Sequence, residues 1–348
     1  MSAVRTNTAG AITANTAPVL KPRKAARRKQ SALLRWLPWT FVAITLIMGV
    51  FAPVIANDVP LVAKVDGSYS FPAFADLVGD APPGPQDISW KQWWSRLGSQ
   101  DEDWAWMPLR PYGPLETDAS LFYGEPSWAH PFGNDDTGRD VLARVVHGAG
   151  TAVSLGLPSV LLAAFLGTLL GAWAGLARGI VDVVVQRFIE LFLCFPTLLF
   201  LLFASAFFGS SWLALVIVMV LRFWISFARI VRGEMLSLRE RDFVLVARGL
   251  GISTWRILVG HLMPQVISAI GVTAAFCMAS AIVAESTLSF LGVGPSAESS
   301  WGTMLRQGSE QAAIGAWHLW FFPAAAIITV VVSCHMLADR LRSQPVSQ

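Results

Sequence analysis

The sequence predicts an all-α integral membrane protein with six transmembrane helices and a polar insertion between the first and second. Three observations carry that prediction. Six apolar runs, residues 37–56, 152–176, 188–208, 212–231, 266–287 and 317–338, are near the roughly 20 residues that cross about 30 Å of hydrocarbon as helix. Charged residues make up only 14% of the chain and apolar ones 54%, where a soluble domain is about one quarter charged. Arginine also falls in alternate connections, as the positive-inside rule requires of a multi-pass chain.

Residues 1–36 read as a disordered basic cytoplasmic tail carrying Lys21, Arg23, Lys24, Arg27, Arg28 and Lys29, with no acid before Asp58. The basic cluster sets topology; contact with anionic membrane lipid is the competing reading. Residues 37–56 form transmembrane helix 1. Val54 and Ala56 would permit cleavage before Asn57, but the long basic lead and long apolar run favour an uncleaved anchor.

Residues 57–150 are a Trp- and Pro-rich segment placed outside. The acids, among them Asp58, Asp66, Asp76, Asp80, Asp87, Asp101, Glu102 and Asp103, outnumber its six basic residues. Frequent prolines predict loops, short strands and one or two helices rather than a large core. Trp90, Trp93, Trp94 and Leu97 have helical spacing, with Asp87 or Ser89 as N-cap and Gly98 as stop. That stripe fits a helix packed on the outer domain, a helix on the membrane surface, or a contact for a binding protein.

Residues 151–342 form a five-helix core, and residues 343–348 a short cytoplasmic tail. Arg178 and Arg187 fall inside after the second run, and Arg229, Arg232, Arg239, Arg241, Arg248 and Arg256 inside after the fourth. Arg340 and Arg342 close the chain inside, so both termini are expected in the cytoplasm. Gly167, Gly171 and Gly175 form a close-packing ridge on the second span, for a helix of this chain or of a partner. Pro196 should kink the third span. Charge within a span is a functional candidate by default. Glu190 and Glu285 fall near span ends and Arg222 lies deep, facing the path or a buried acid. A kinked helix can line a pathway but more often only packs; with that alternative, Pro196, Arg222 and Glu285 are the translocation-path candidates.

The connection at 234–264 holds a polar helix–turn–helix, DFVLVARGLGISTWRILVGHLMP, from Asp242 to Pro264. Ala247 and Gly251 are small residues four apart, so a partner could approach closely there. Gly251 should end the first helix, Ser253 or Thr254 should cap the second, and Ile257, Leu258 and Leu262 should dock that helix on the bundle. Pro264 should stop it and angle the chain into the fifth span. From the residues alone, a partner-binding surface and an ordinary amphipathic loop are equally good readings.

What is missing excludes other classes. No G-x-x-x-x-G-K-[ST] occurs, so ATP is not bound through a P-loop, and no H-E-x-x-H or G-x-S-x-G supports a protease or hydrolase. Cys194, Cys277 and Cys334 all lie in apolar runs, which excludes a disulfide framework in the polar segment. His130, Asp135, Asp136, Asp140 and His147 have a stronger structural reading than a metal one: Gly133 and Gly138 make turns, and Val141, Leu142 and Val145 give one side of a short interfacial helix. No metal, cofactor or nucleic-acid partner is expected.

Several stretches resemble permease subunits of ATP-driven (ABC) importers. The 242–264 stretch resembles their coupling loop, E-A-A, three residues, Gly, nine residues, I-x-L-P: Leu245-Val246-Ala247 takes the E-A-A place, Gly251 the glycine, His261 and Met263 the I and L places, and Pro264 the proline. The glutamate is absent, replaced by Leu245. HPFGNDDTGRDVLAR from His130 resembles H-P-x-G-T-D-x-x-G-R-D-V-x-x-R of the dipeptide and oligopeptide group. Glu285 to Gly292, Trp301 to Leu305 and Leu337 to Arg342 resemble its E-x-x-L-S-F-L-G, W-G-x-M-L and L-x-D-x-L-R elements. Ile55 to Asp58, Pro60, Asp66 to Ser68 and Phe71-Pro72 resemble a long-loop subgroup serving peptide and microcin-type uptake.

The resemblance implies a type I importer permease in the bacterial inner membrane. It implies pairing with a second, homologous permease, two P-loop ATPase domains beneath the pair, coupled to this chain through Asp242, Ala247, Gly251, His261 and Pro264, a periplasmic substrate-binding protein, and a peptide substrate. Such a subunit is not itself an enzyme. The competing class is a stand-alone secondary transporter or channel, which would place coupling charges deep in several spans.

Overall fold

The computed structural model describes residues 32–65, 67–74, 89–96, 103–177, 179–294 and 299–343. The basic tail, Asp66, Asp76, Asp80, Asp87, Leu97, Gly98, Asp101, Glu102, Arg178 and residues 344–348 lie outside the described residues.

Among the described residues, five helices are long and apolar enough to cross a membrane, and six crossings result if one sharply bent helix pair counts as a single span. Helix α1 (Ala32–Ile55) breaks at Phe51 (φ −102°, ψ 17°), two residues before Pro53. Proline supplies no N–H, and its ring collides with the carbonyl four residues back, so a bend there is expected.

The insertion holds a small antiparallel sheet of β1 (Val62–Val65), β2 (Ser68–Ser70) and β3 (Trp104–Trp106) in the order β2-β1-β3. Ala63 pairs with Ser70 on one side and Ala105 on the other, and is fully buried. Gly67, at φ +78°, turns the β1–β2 hairpin. Helix α2 (Trp90–Arg96) starts at Ser89, whose Oγ accepts the Gln92 N–H at 3.2 Å. Its Trp stripe is not a buried seam: no α2 residue is buried, and Trp94 is exposed. Lys91 fastens the helix instead, 3.2 Å from Glu116 and 3.9 Å from the Tyr112 ring centroid.

Helix α3 (Val141–Ala177) is one unbroken helix of 37 residues. The expected short interfacial helix is therefore its first turns. Glycine costs only about 1 kcal/mol in a helix, and Gly148 has a packing use: a Cβ there would lie 2.5 Å from the Trp301 ring. Further along, Gly167, Gly171 and Gly175 face α6 (Trp212–Leu238) of the same chain. A Cβ at Gly171 would sit 2.5 Å from the Ala228 carbonyl oxygen, and one at Gly175 2.6 Å from Met235 Cβ. The ridge thus serves intrachain packing, and Leu155, Val218, Met219, Ile225 and Phe227 fill the core around it.

The third run is broken rather than kinked. Helices α4 (Ile180–Leu193) and α5 (Thr197–Phe208) meet at 89°. Pro196 stands outside the helix as the N-cap of α5, in extended geometry at ψ 132°. Missing its N–H and disfavouring helix at Phe195, it ends one helix and starts another.

Helix α7 (Asp242–Gly249) and short α8 (Thr254–Ile257) follow α6. The chain then runs through a π turn, Leu258–Leu262, into α9 (Met263–Phe290). Helix α10 (Trp301–Glu310) opens on a capping box between Ser300 and Thr303, and α11 (His318–Ser343) ends the described chain. Two contacts clamp the arginine-rich end of the bundle: Arg232 makes paired bonds of 2.5 and 2.9 Å to Asp182, and Arg239 donates to the Gly175 carbonyl at 2.6 Å.

Candidate functional site

The α7–α8 hairpin stands at the arginine-rich end. Helix α7 ends in a Schellman motif: the Gly251 N–H donates to the Arg248 carbonyl at 3.0 Å and the Ile252 N–H to the Ala247 carbonyl at 3.1 Å. This requires a left-handed residue, and Gly251 supplies it at φ +76°. Ser253 is the N-cap of α8 by position, without a side-chain capping bond. Pro264 does not stop the helix. The Leu258–Leu262 turn widens so that the Met263 N–H donates to the Leu258 carbonyl, and Pro264 sits in the first turn of α9. A π turn relieves the pressure of the proline ring on the carbonyl four residues back.

The hairpin has two unlike faces. Val244, Ala247, Ile257 and Leu262 are buried with Val231, Met235 and Leu238 of α6 and Val266 of α9. Ala247 therefore permits close approach of α7 to its own bundle, not to a partner. On the other face Leu245 is 55% exposed, Val246 61%, Leu250 75% and Trp255 71%. Asp242, Arg248, Arg256, His261 and Pro264 are exposed around them. Asp242 occupies the first turn of α7, where a carboxylate suits the positive end of the helix.

A second feature lies within the bundle. Thr197 of α5, Arg222, Ser226 and Arg229 of α6, and Thr273, Phe276, Cys277 and Ser280 of α9 line a groove of about 460 Å³. Arg222 donates through Nε and Nη2 to Thr197 Oγ1, at 3.0 and 2.6 Å. Of the three path candidates, Arg222 lines this groove, Pro196 sets the start of the helix that supplies Thr197, and Glu285 lies elsewhere. Glu285 is 1% exposed and accepts from Ser289 Oγ at 2.8 Å and Ser286 Oγ at 3.3 Å. Both partners belong to α9, so these bonds hold the acid against its own helix. The remaining groove residues carry a readable signal: 222, 226 and 229 are spaced i, i+4, i+7, and 273, 276, 277 and 280 i, i+3, i+4, i+7, each one face of a helix.

The motif from His130 is a structural knot at the opposite end. His130 Nδ1 lies 2.9 Å from Asp140 Oδ1. Asp135 accepts from the Thr137 and Arg139 N–H groups, both at 2.9 Å, from Arg139 Nε at 2.7 Å, and from Arg144. Burial pushes its carboxyl pKa up, but the Arg144 charge and the N–H donors outweigh that and hold it below the usual range. Arg144 Nη2 reaches Gln307 of α10 at 2.7 Å, His318 Nε2 lies 3.0 Å from the Asn134 carbonyl oxygen, and Trp301 Nε1 donates to the Val145 carbonyl at 2.9 Å. The loop thereby ties α3, α10 and α11 together.

Residues 167–343 match the family of binding-protein-dependent transport system inner membrane components. The chain belongs to this family. The matched residues include the glycine ridge, the groove and the α7–α8 hairpin. The transport component is also similar to a Brucella suis biovar 1 (strain 1330) protein bearing a provisional peptide-permease name, 35% identical over 235 residues, 67% of this chain and 78% of that one. It is 34% identical over 218 residues to the oligopeptide transport system permease protein OppC of Bacillus subtilis (strain 168), covering 62% of this chain and 71% of that one.

Proposed function

We propose that this transport component is a permease subunit of an ATP-driven peptide importer, paired with a second, homologous permease. Two P-loop ATPase domains dock beneath the pair, one of them on the α7–α8 hairpin of this chain, and a periplasmic binding protein delivers peptide to the opposite end. In this reading the arginine-rich end and both termini face the cytoplasm, in accord with the positive-inside rule. The chain does no covalent chemistry and leaves ATP hydrolysis to its partners. Membership of a binding-protein-dependent family weighs against a stand-alone secondary transporter.

The carrying observation is the two-faced hairpin. Its outer face exposes Val246, Leu250 and Trp255, while its inner face is packed with α6 and α9. Those are two of the helices that line the groove. A push on the outer face is thus passed by packed side chains to the walls of the path. Packed interfaces of this kind switch between discrete arrangements rather than deform continuously, so closure of the ATPase pair selects one of two bundle states. Asp242 and His261 rim the docking face, Gly251 sets its turn, Ala247 seats it on the bundle, and Pro264 opens the helix that follows it.

A cysteine at the outer face tests this. The L250C permease, in membranes containing the whole transporter, should cross-link to an ATPase subunit. Capture of lipid alone, or no capture, with normal insertion of the permease would overturn the docking assignment.

A further inference from the structure

The groove has a chemistry of its own. Its described lining contains two guanidinium groups, Arg222 and Arg229, four hydroxyls, and no carboxylate. None of the ion pairs among the described residues includes either arginine. Arg222 instead donates to Thr197 Oγ1, at the first position of α5. A helix N-terminus carries partial positive charge, so a guanidinium there is poorly matched to its surroundings unless an anion joins them.

Position adds to this. Arg222 lies ten residues into α6 from Trp212, about 15 Å along the axis and so near the middle of a ~30 Å hydrocarbon layer. An unpaired charge at that depth marks a functional path. Arg229 is seven residues on, along the same helix face and about 10 Å nearer the arginine-rich end. The volume, about 460 Å³, falls in the range of roughly 300–1,000 Å³ found for small-molecule sites.

We propose that this groove is a carboxylate-binding site on the translocation path, where Arg222 and then Arg229 hold a carboxylate of the peptide as it crosses. The proposal rests on the peptide-import reading and adds to it a substrate class and a named contact. Guanidinium recognises carboxylate and phosphate by the same paired N–H donors. A lipid phosphate is thus the other source of this chemistry. The peptide is favoured because Thr273, Phe276 and Ser280 supply a mixed polar and aromatic wall that suits an amide backbone better than acyl chains.

The test uses the whole transporter in nanodiscs, with the S226C permease as reporter and its alkylation by a maleimide followed by site-resolved mass spectrometry. Trialanine should slow S226C alkylation at least fivefold and trialanine amide less than twofold. Adding R222Q should abolish that difference, and adding R222K should keep most of it. Equal protection by acid and amide, or undiminished protection in R222Q, would overturn the site. Protection by phosphatidylglycerol without peptide would assign the groove to lipid phosphate instead. In proteoliposomes, the acid-to-amide uptake ratio should fall about tenfold in R222Q and recover in R222K. An equal fall for both peptides would mean that Arg222 pairs with an acid of the second permease, and would also overturn the proposal. If the wild-type transporter imports neither peptide, the import reading fails, and the alkylation measurements still decide the carboxylate site.

Discussion

Two residues carry testable chemistry of their own. Gly251 is held at φ +76° with open space around its Cα, so a side chain there meets no neighbour and pays only in backbone strain. A β-branched residue in that conformation costs about 1–2 kcal/mol, too little to unfold the bundle but enough to misdirect the turn. Gly251→Val should therefore abolish uptake and substrate-stimulated ATPase activity while membrane insertion persists. Gly251→Asn, which tolerates the left-handed region, should retain uptake; equal behaviour of the two variants would remove the conformational argument. Asp135 is the second case. Its pKa is lower in the folded chain than the usual value near 3.9. Its contribution is accordingly full above about pH 4 and is lost as pH falls through the folded value. Asp135→Asn should cost roughly 3–5 kcal/mol, because buried Arg144 would lose its ion pair with this carboxylate. Thermal melts in detergent should show that loss at pH 7 and a smaller difference from wild type in strong acid.

Among the elements, the α3–α6 pair decides the stability of the bundle. A methyl group at Gly171 would lie 2.5 Å from the Ala228 carbonyl oxygen, so even Gly171→Ala forces the helices apart. Overpacking of this kind typically costs about 1–3 kcal/mol. Gly233, on the exposed side of the same α6, has nothing within 4 Å of an added Cβ, and Gly233→Ala should stabilise by up to about 1 kcal/mol through helix propensity. Opposite shifts in melting temperature are expected; a rise in both would show that propensity rather than contact governs both sites, and a fall in both would show that contact does. The glycine ridge was legible because its four-residue spacing is a local pattern. Span positions were legible for the same reason: 212–231 and 266–287 fall inside α6 and α9. The prolines were harder. Pro158 and Pro323 sit inside helices, Pro196 breaks one, and Pro264 is accommodated by a π turn. Which outcome occurs depends on whether neighbouring chain can satisfy the freed carbonyl, and that is tertiary information. The polar stripes on α6 and α9 were likewise visible as spacing, but only the fold shows that they face one another.

On the scale of the molecule, the same hairpin must hold an external partner and move internal walls, and its two faces separate those tasks. Leu250 is 75% exposed and contributes little to the fold, so Leu250→Glu should leave the subunit stable while preventing ATPase docking. Val244 is fully buried against α6. Val244→Ala removes two methyl groups there, a loss on the order of 1–2 kcal/mol by the transfer scale of about 0.8 kcal/mol per buried carbon. That cost leaves the bundle assembled but loosens the joint between hairpin and walls. The two variants should therefore fail differently. Leu250→Glu transporters should purify without bound ATPase and show no stimulated hydrolysis. Val244→Ala transporters should purify with ATPase bound and hydrolyse ATP, yet import fewer peptides per ATP consumed. If Val244→Ala lowered hydrolysis and import in proportion, the inner face would belong to docking alone, and transmission to α6 and α9 would have to run by another route.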